Sequence, residues 1–514
     1  EESKTNNEDN EKEKYWKRED IDEELLVVEL KDHEINIFDD RAKIDIRIFK
    51  SGNNKLVRIT MINNKRKEKR GRVDQSDILT RVSMDSWITN GKILPYPKVF
   101  RSTNDGEEEE QQILYKDEHI YGIGHACSVK WRDKKNSIEN IVSLDFIPTG
   151  ITKGSKSTLE EYENSKSIDM EFLANPQNKK NIISELKKFK EPYDDWVKKT
   201  INELIKLKKN STDSLSFVLT GSHEKAIDKL ITKLGKTLDR ISSGIDFLEK
   251  NSLALSAFQF ANKAMLMQMV HQSYYQKIIN ADDLNYKFFK RNHNFVSDFN
   301  NIDYSDLTKI FGSNYKKFEW RPFQLAYFLM TCKSTVINDD EDRETVDLIW
   351  FSTGGGKTEA YLFVSAFLIF FNKLMNPESS GVEIIMRYTL RLLTQDQFIR
   401  TSRMIIACEK IRRENENIFG RNEIGIGLWI GGGISPNDYE SKGPKSPGST
   451  EILKELKKHP NPDCESPFSI AVCPWCNTNL VPEKQSDEKS YGFVGYDNHF
   501  SINCPSDSCE FHER

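Results

Sequence analysis

The sequence predicts an α/β protein: a phosphate-binding lobe preceded by β-rich and helical regions and followed by a cysteine-rich segment. Three observations carry this. The apolar run Asp347-Leu348-Ile349-Trp350 leads into Phe351-Ser352-Thr353-Gly354-Gly355-Gly356-Lys357-Thr358, and Glu359 to Val364 then opens an apolar helix. Apolar residues alternate with period two before about residue 155 and follow helical spacing from about residue 156. Finally, Cys473, Cys476, Cys504 and Cys509 gather near one end of the sequence.

Residues 1–24 are almost wholly charged or polar and are expected to form a disordered tail. A β-rich domain is expected over 25–155. Within it Ile44–Phe49 and Leu56–Met61 alternate around Ser51-Gly52-Asn53-Asn54, which predicts a hairpin. Asp105–Glu110 reads as an acidic loop. Lys65-Arg66-Lys67 with Lys69, Arg70 and Arg72 reads as a solvated loop, phosphate contact being the alternative. Tyr121-Gly122-Ile123-Gly124-His125-Ala126-Cys127 predicts a tight turn with buried His and Cys, since one pair makes half a metal site at most.

A helical subdomain is expected over 156–298. Ile227, Leu230, Ile231, Leu234, Leu238, Ile241, Ile245 and Leu248 mark one apolar stripe, with Ser222 as its N-cap. A second helix runs around Trp196, Val197, Ile201, Leu204 and Ile205, its start broken or bent by Pro192. A third spans Leu253–Val270, with Met265, Met267 and Met269 filling core. Strand and helix alternate over 299–450, as in RecA-like ATPase domains. Residues 464–514 form the cysteine segment.

Charged residues make up 30% of 514 residues yet nearly cancel to a net charge of −5. Any nucleic-acid contact must therefore come from local basic surfaces. The apolar stretch Ala360–Phe371 is too short to span a bilayer and reads as a buried helix, so no membrane partner is expected. Eight cysteines, half of them clustered, fit a reducing cytosol better than a disulfide scaffold. The sequence opens without Met and stops within the cysteine segment, so a fragment is expected.

The glycine loop predicts ATP and Mg²⁺ as cofactors. Glycines let backbone N–H groups converge on phosphate oxygens at a helix N-terminus. Thr353, Gly354, Gly355, Gly356 and Glu359 complete the expected nucleotide-binding set. Lys357 is expected to reach the β/γ phosphates and Thr358 to ligate Mg²⁺. Phe351 stands where the general loop pattern has glycine. Upstream, Trp320-Arg321-Pro322-Phe323-Gln324 offers an amide that can pair with the N6/N7 edge of adenine; a helix-surface glutamine is the plainer alternative.

Glu383–Met386 reads as the next strand and runs into Arg387-Tyr388-Thr389-Leu390-Arg391-Leu392-Leu393-Thr394-Gln395. Arg387, Thr389 and Arg391 at a strand's carboxyl end suit nucleic-acid backbone contacts, against the alternative of a solvated helix face. Ile424–Ile430, ending in Gly431-Gly432-Gly433, predicts another strand. Gly431 and Gly432 would there allow close backbone approach, although a plain turn fits nearly as well.

Cys473-Pro474-Trp475-Cys476 and Cys504-Pro505-Ser506-Asp507-Ser508-Cys509 predict a structural Zn²⁺ site with Cys473, Cys476, Cys504 and Cys509 as ligands. The second pair encloses four residues where such pairs usually enclose two, which leaves His499 or His512 open as a replacement. Cys464 and Cys408 lack partners at ligand spacing and are expected to be buried. No open coordination position is visible, which argues against a zinc-dependent nuclease.

The loop, the segments Trp320–Gln324, Met386–Gln397 and Ile426–Gly432, and Ala257–Gln268 together resemble the DrmA family of DISARM anti-phage defence helicases. So do Tyr121–Trp131 and Cys473–Cys476. The resemblance covers about residues 110–514. It implies a large superfamily 2 DNA helicase or translocase, with DNA and a second defence-system subunit as partners. It also implies that this chain is the front part of a longer protein. Together with the residues above, the expectation is the first RecA-like lobe with a zinc-ribbon insertion. No Asp-Glu-x-His motif follows Gly433, so an incomplete motor is expected. The alternative is a nucleotide-switched DNA-binding or scaffold subunit that does not translocate.

Overall fold

The computed structural model describes residues 2–4, 14–16, 25–51, 53–64, 79, 82–96, 105–116, 119–125, 127–134, 137–145, 160–209, 221–281, 302–350, 354–387, 391–430, 436, 438–443, 447–460, 468, 470–482, 484–496, 499–507 and 509–512. The chain is mixed α/β and divides into two compact units: Glu1–Val99 with Leu114–Thr152, and Phe100–Ile113 with Lys153–Arg514.

The first unit is built of antiparallel strands. Within the charged tail, β1 (Glu2–Lys4) pairs with β2 (Lys14–Trp16). β3 (His33–Ile37), β4 (Ala42–Ser51) and β5 (Asn54–Asn63) form a meander in which Ser51 faces Asn54 across the expected hairpin turn. β6 (Ser83–Trp87), β7 (Ser128–Lys134) and β8 (Ser137–Asp145) make a second sheet with β8 in the middle. Among the described residues, Ile37, Ala42 and Ile46 are this unit's buried apolar side chains, a shallow core. His125 is exposed and Cys127 half-buried, unlike the buried pair expected. The turn itself is tight, because a Cβ on Gly124 would lie 2.3 Å from the Cys127 carbonyl oxygen. The basic cluster from Lys65 to Arg72 lies outside the described residues.

The second unit is mainly helical. The expected acidic loop is instead the start of α1 (Gly106–Leu114). Its Glu110 pairs with Lys229 at 2.8 Å and Lys233 at 2.6 Å, and Ile113 is buried with Leu204, Ala226, Ile227 and Leu230. Local charge hid a helix that packs through Ile113 and pairs Glu110 with a basic row distant in sequence. α2 (Met170–Ala174) precedes α3 (Lys179–Lys209), which runs through Pro192 without ending there. α4 (Gly221–Lys250) buries Ile227, Leu230, Ile241, Ile245 and Leu248 along the expected stripe; Ser222 lies inside it and does not cap it. α5 (Ser252–Ala281) is capped by the Asn251 side chain, which accepts from the backbone N–H groups of Leu253 and Ala254.

Next come α6 (Thr308–Phe311), α7 (Pro322–Val336), α8 (Lys357–Met375), α9 (Arg391–Glu414), α10 (Glu416–Phe419) and α11 (Ser449–Lys458). Aromatic rings fill the junction of α5, α7 and α8. Phe363 stacks on Trp320 at 4.4 Å and lies 4.3 Å from Phe328, which meets Phe258 at 5.3 Å. Such contacts add to the burial of large apolar area. The buried Trp320 donates its indole N–H to Asn262 Oδ1 at 2.8 Å. α4 and α7 approach so closely that a Cβ on Gly244 would lie 1.9 Å from the Leu329 carbonyl oxygen. α8 is, among the described residues, the one helix long and apolar enough to cross a membrane, and most of it is buried in this core.

The three segments expected as strands of the lobe differ from expectation. Residues 346–350, 382–387 and 423–430 form no helix, and none is paired in a ladder among the described residues. Each leans on the helices with alternate side chains. Arg240 of α4 holds Asp347 through two bonds of 2.6 and 2.8 Å. Ile384, Met386 and Ile424 pack against the main core. The Ile424 N–H donates to Glu409 Oε2 at 2.9 Å, and Glu409 is held by Arg412. The other set of side chains points outward: Trp350 is 75% and Trp429 100% exposed, with Leu348 and Ile385 similar. Apolar runs on both faces mark strands covered on both faces, and here only the helical face is covered. β9 (Phe493–Tyr496) and β10 (His499–Ile502) form a hairpin in the cysteine segment.

Candidate functional site

The glycine loop begins at the start of α8. Gly354 and Gly356 have φ of 77° and 79°, the left-handed region that glycine adopts without a Cβ penalty. Two side chains from the start of α7 hold the loop. Arg321 Nη1 donates to the Gly355 carbonyl at 2.7 Å, and Gln324 Nε2 donates to the Gly356 carbonyl at 2.7 Å. The other end of the Gln324 amide accepts from the Arg321 backbone N–H at 2.8 Å. Both ends of this amide, which the sequence suggested for adenine, are thus engaged with the chain itself. A Cβ on Gly356 would be strained at its φ of 79° and would sit 2.8 Å from Gln324 Nε2, displacing the amide that holds the loop.

The pinned carbonyls fix the direction of the N–H groups. In a trans peptide the C=O and N–H point opposite ways. With the carbonyls of Gly355 and Gly356 turned toward α7, the N–H groups of Gly356 and Lys357 face away from it. Convergent N–H groups at a helix start are what a phosphate requires.

Thr358 and Glu359, in the first turn of α8, are held by α9. Thr358 Oγ1 donates to Gln397 Oε1 at 3.0 Å, and the Tyr361 hydroxyl lies 3.1 Å from Thr358 Oγ1 and 3.3 Å from Gln397 Oε1. Glu359 is ion-paired with Arg400. The sequence reading missed Tyr361, Gln397 and Arg400. The polar row Gln397, Arg400 and Arg403, at three-residue spacing, is the signal that could have marked this helix face.

Of the expected nucleic-acid residues, Arg387 is exposed at the end of the segment 382–387. Arg391 is the first residue of α9. Thr353, Thr389, Gly431 and Gly432 lie outside the described residues, as does Cys464.

The sulfurs of Cys473, Cys476, Cys504 and Cys509 all lie within 4.8 Å of one another, and all four residues are buried. A tetrahedral zinc with Zn–S bonds of about 2.3 Å would place its sulfurs about 3.8 Å apart. The donor set therefore fits one zinc ion. Hydrogen bonds from Cys473, Cys504 and Cys509 hold the Cys476 thiol well below the usual range. The Cys473 thiol is held well above it, first by its bond to Cys476. Four sulfurs this close cannot all ionise without a cation to compensate them. His512, the possible substitute, instead uses Nδ1 to bond the Cys504 carbonyl at 2.7 Å.

The knuckle is fastened to the helices. The buried Trp475 ring lies 3.7 Å from that of His271 on α5, and its carbonyl is 2.8 Å from His271 Nδ1. Arg403 of α9 donates from Nε to the Pro474 carbonyl at 2.8 Å, and Lys410 pairs with Glu510 at 2.7 Å.

Fold and site define a mixed α/β chain with a glycine–lysine–threonine loop at a helix start and a four-cysteine centre able to hold zinc. The chain is a relative of the DISARM protein DrmA of Bacillus paralicheniformis, with which it shares 28% identity over 436 residues. The match covers 80% of this chain and 34% of DrmA, so the chain spans about a third of the length of that relative. No family model matches the sequence.

Proposed function

We propose that this chain is part of a nucleic-acid-dependent ATPase motor, the first RecA-like lobe of a superfamily 2 DNA helicase or translocase in anti-phage restriction. The observation that carries the proposal is the loop Gly354–Thr358 at the start of α8, with its carbonyls gripped from α7. Lys357 and Thr358 would meet the phosphates and Mg²⁺, with Arg321, Gln324, Thr353 and Glu359 around them. The alternation of 346–350, α8, 382–387, α9 and 423–430 supports the RecA-like reading. Arg387, Thr389, Arg391, Gly431 and Gly432 would contact the DNA backbone. Similarity to a DISARM protein supports the defence context, a second defence-system subunit as partner and a cytoplasmic place of action.

A nucleotide-switched DNA-binding or scaffold role is the second reading. It is favoured by one observation: no Asp-Glu-x-His stands between Gly433 and Arg514 to hold Mg²⁺ and orient water.

Titration with a fluorescent ATP analogue tests the site common to both readings. The wild-type chain should bind in the presence of Mg²⁺, and Lys357→Ala should weaken binding by about tenfold or more, as expected for loss of a charge-assisted phosphate contact. A wild-type chain with no affinity, or a Lys357→Ala chain with the same affinity, overturns the nucleotide site.

A further inference from the structure

The two candidate sites are joined by one helix. α9 touches the glycine loop's helix through Gln397 and Arg400, and the cysteine knuckle through Arg403, Lys410 and Arg413. From Gln397 to Arg403 the rise is about 9 Å at 1.5 Å per residue. A helix of that length transmits displacement as a rigid body.

The hydrogen bonds of Thr358 show what α9 does at the loop. A hydroxyl has one proton to donate and two lone pairs. The Thr358 proton goes to Gln397 Oε1, and the single Tyr361 hydroxyl proton lies between Thr358 Oγ1 at 3.1 Å and Gln397 Oε1 at 3.3 Å. With its proton turned to Gln397, Thr358 keeps at least one lone pair to offer elsewhere. Gln397 would therefore hold the hydroxyl orientation in which Thr358 could ligate Mg²⁺. Without an acceptor in that place the proton would turn elsewhere, and a ligating lone pair with it. The adjacent Arg400–Glu359 pair fixes the same turn of α8 to the same turn of α9.

At the other end, Arg403 is buried and reaches the knuckle twice, through Nε to the Pro474 carbonyl and through Nη2 to Asn477 Oδ1 at 3.3 Å. Pro474 lies between the first two cysteines, and Asn477 directly follows the second. Zinc would fix the positions of these acceptors, and with them the axial position of α9.

We propose that α9 couples the zinc knuckle to the magnesium–nucleotide loop, with Gln397 as the positioning residue for Thr358 and Arg403 as the anchor on the knuckle. The proposal rests on the reading of the loop as an ATP site and adds its control. Coupling of two binding sites is reciprocal. Metal in the knuckle strengthens Mg²⁺–nucleotide binding, and Mg²⁺–nucleotide makes the knuckle hold its metal more tightly.

The readout is the factor by which added Mg²⁺ strengthens binding of a fluorescent ATP analogue to the full chain. Titrations with and without Mg²⁺, and without a chelator that would strip zinc, give that factor. Gln397→Leu should lower the factor by about tenfold, the scale of one hydrogen bond lost at a charged site. Gln397→Glu keeps an acceptor and should preserve or raise the factor, which decides the matter even if Gln397→Leu does not fold. Arg403→Ala, and wild type treated with a zinc-selective chelator, should lower the factor by about threefold. A wild-type factor in Gln397→Leu, or a lowered one in Gln397→Glu, overturns the role of Gln397. A wild-type factor in both Arg403→Ala and the zinc-stripped chain overturns the coupling. A wild-type chain that binds no nucleotide overturns the ATP reading as well, so the two failures are told apart.

Discussion

At the scale of single residues, His271 shows how burial sets chemistry. Its Nδ1 faces the Trp475 carbonyl at 2.8 Å, which can only accept, so Nδ1 carries the proton. Nε2 then accepts from the Tyr304 hydroxyl at 2.7 Å, and the ring is neutral. Burial drives its pKa from 6.5 down to about 3, the hydrogen bond to Trp475 opposing this only in part. The unfolded chain takes up a proton between those values and the folded chain does not. The stabilisation is therefore fully present above pH 6.5 and is lost on acidification, by about 1.4 kcal/mol per pH unit across that window. Urea unfolding at pH 7 and pH 5 should show this loss in wild type. In His271→Asn the amide can replace the Nδ1 donor without titrating, so its pH slope should be shallower by about one proton. Equal slopes would mean that His271 does not carry the dependence.

At the scale of elements, the cysteine segment shows the same economy. Its β9–β10 hairpin has four-residue strands, and hairpins of that size are marginal alone. Metal binding in such a segment becomes folding free energy. Purified chain should contain about one equivalent of zinc, and Cys473→Ser with Cys476→Ser should lose it together with protease resistance of residues 468–512. A metal-free segment that still resists protease would rule out a structural zinc. The cysteine spacing made this centre legible in the sequence, because the ligand pairs are local. The helices of the second unit were legible for the same reason, since Ile227 to Leu248 repeat along one face. α1 was not: its charges are local, but the partners Lys229 and Lys233 that make it a helix surface are far away in sequence. Pro192 removes one N–H from α3, yet burial of Ile182, Leu186, Phe189 and Val197 on either side keeps the helix whole. The Gln324 amide was legible as a polar group near the loop. Which atoms it holds depends on a close approach of α7 to the loop that no local pattern records.

At the scale of the whole molecule, binding and turnover at the proposed nucleotide site make separate demands. The segments 346–350, 382–387 and 423–430 present one side to the helices and leave apolar side chains such as Leu348, Trp350, Ile385 and Trp429 in solvent. The glycine loop, by contrast, is held by α7 through Arg321 and Gln324, and the first turn of α8 behind it by α9 through Gln397 and Arg400. Hydrolysis demands more than a cradle. Phosphoryl transfer relies on groups that orient water and stabilise developing charge, and removing such groups costs on the order of 10³-fold in rate. Residues Gly433 to Arg514 hold four clustered cysteines and no Asp-Glu-x-His. This 514-residue chain should therefore bind Mg²⁺–ATP and hydrolyse it barely above background, with or without DNA. The check is a phosphate-release assay beside the binding titration, with Lys357→Ala as the blank. DNA-stimulated turnover of about one per second or faster, the range of a complete enzyme, would overturn the prediction and require an acidic group already within this chain to serve the water.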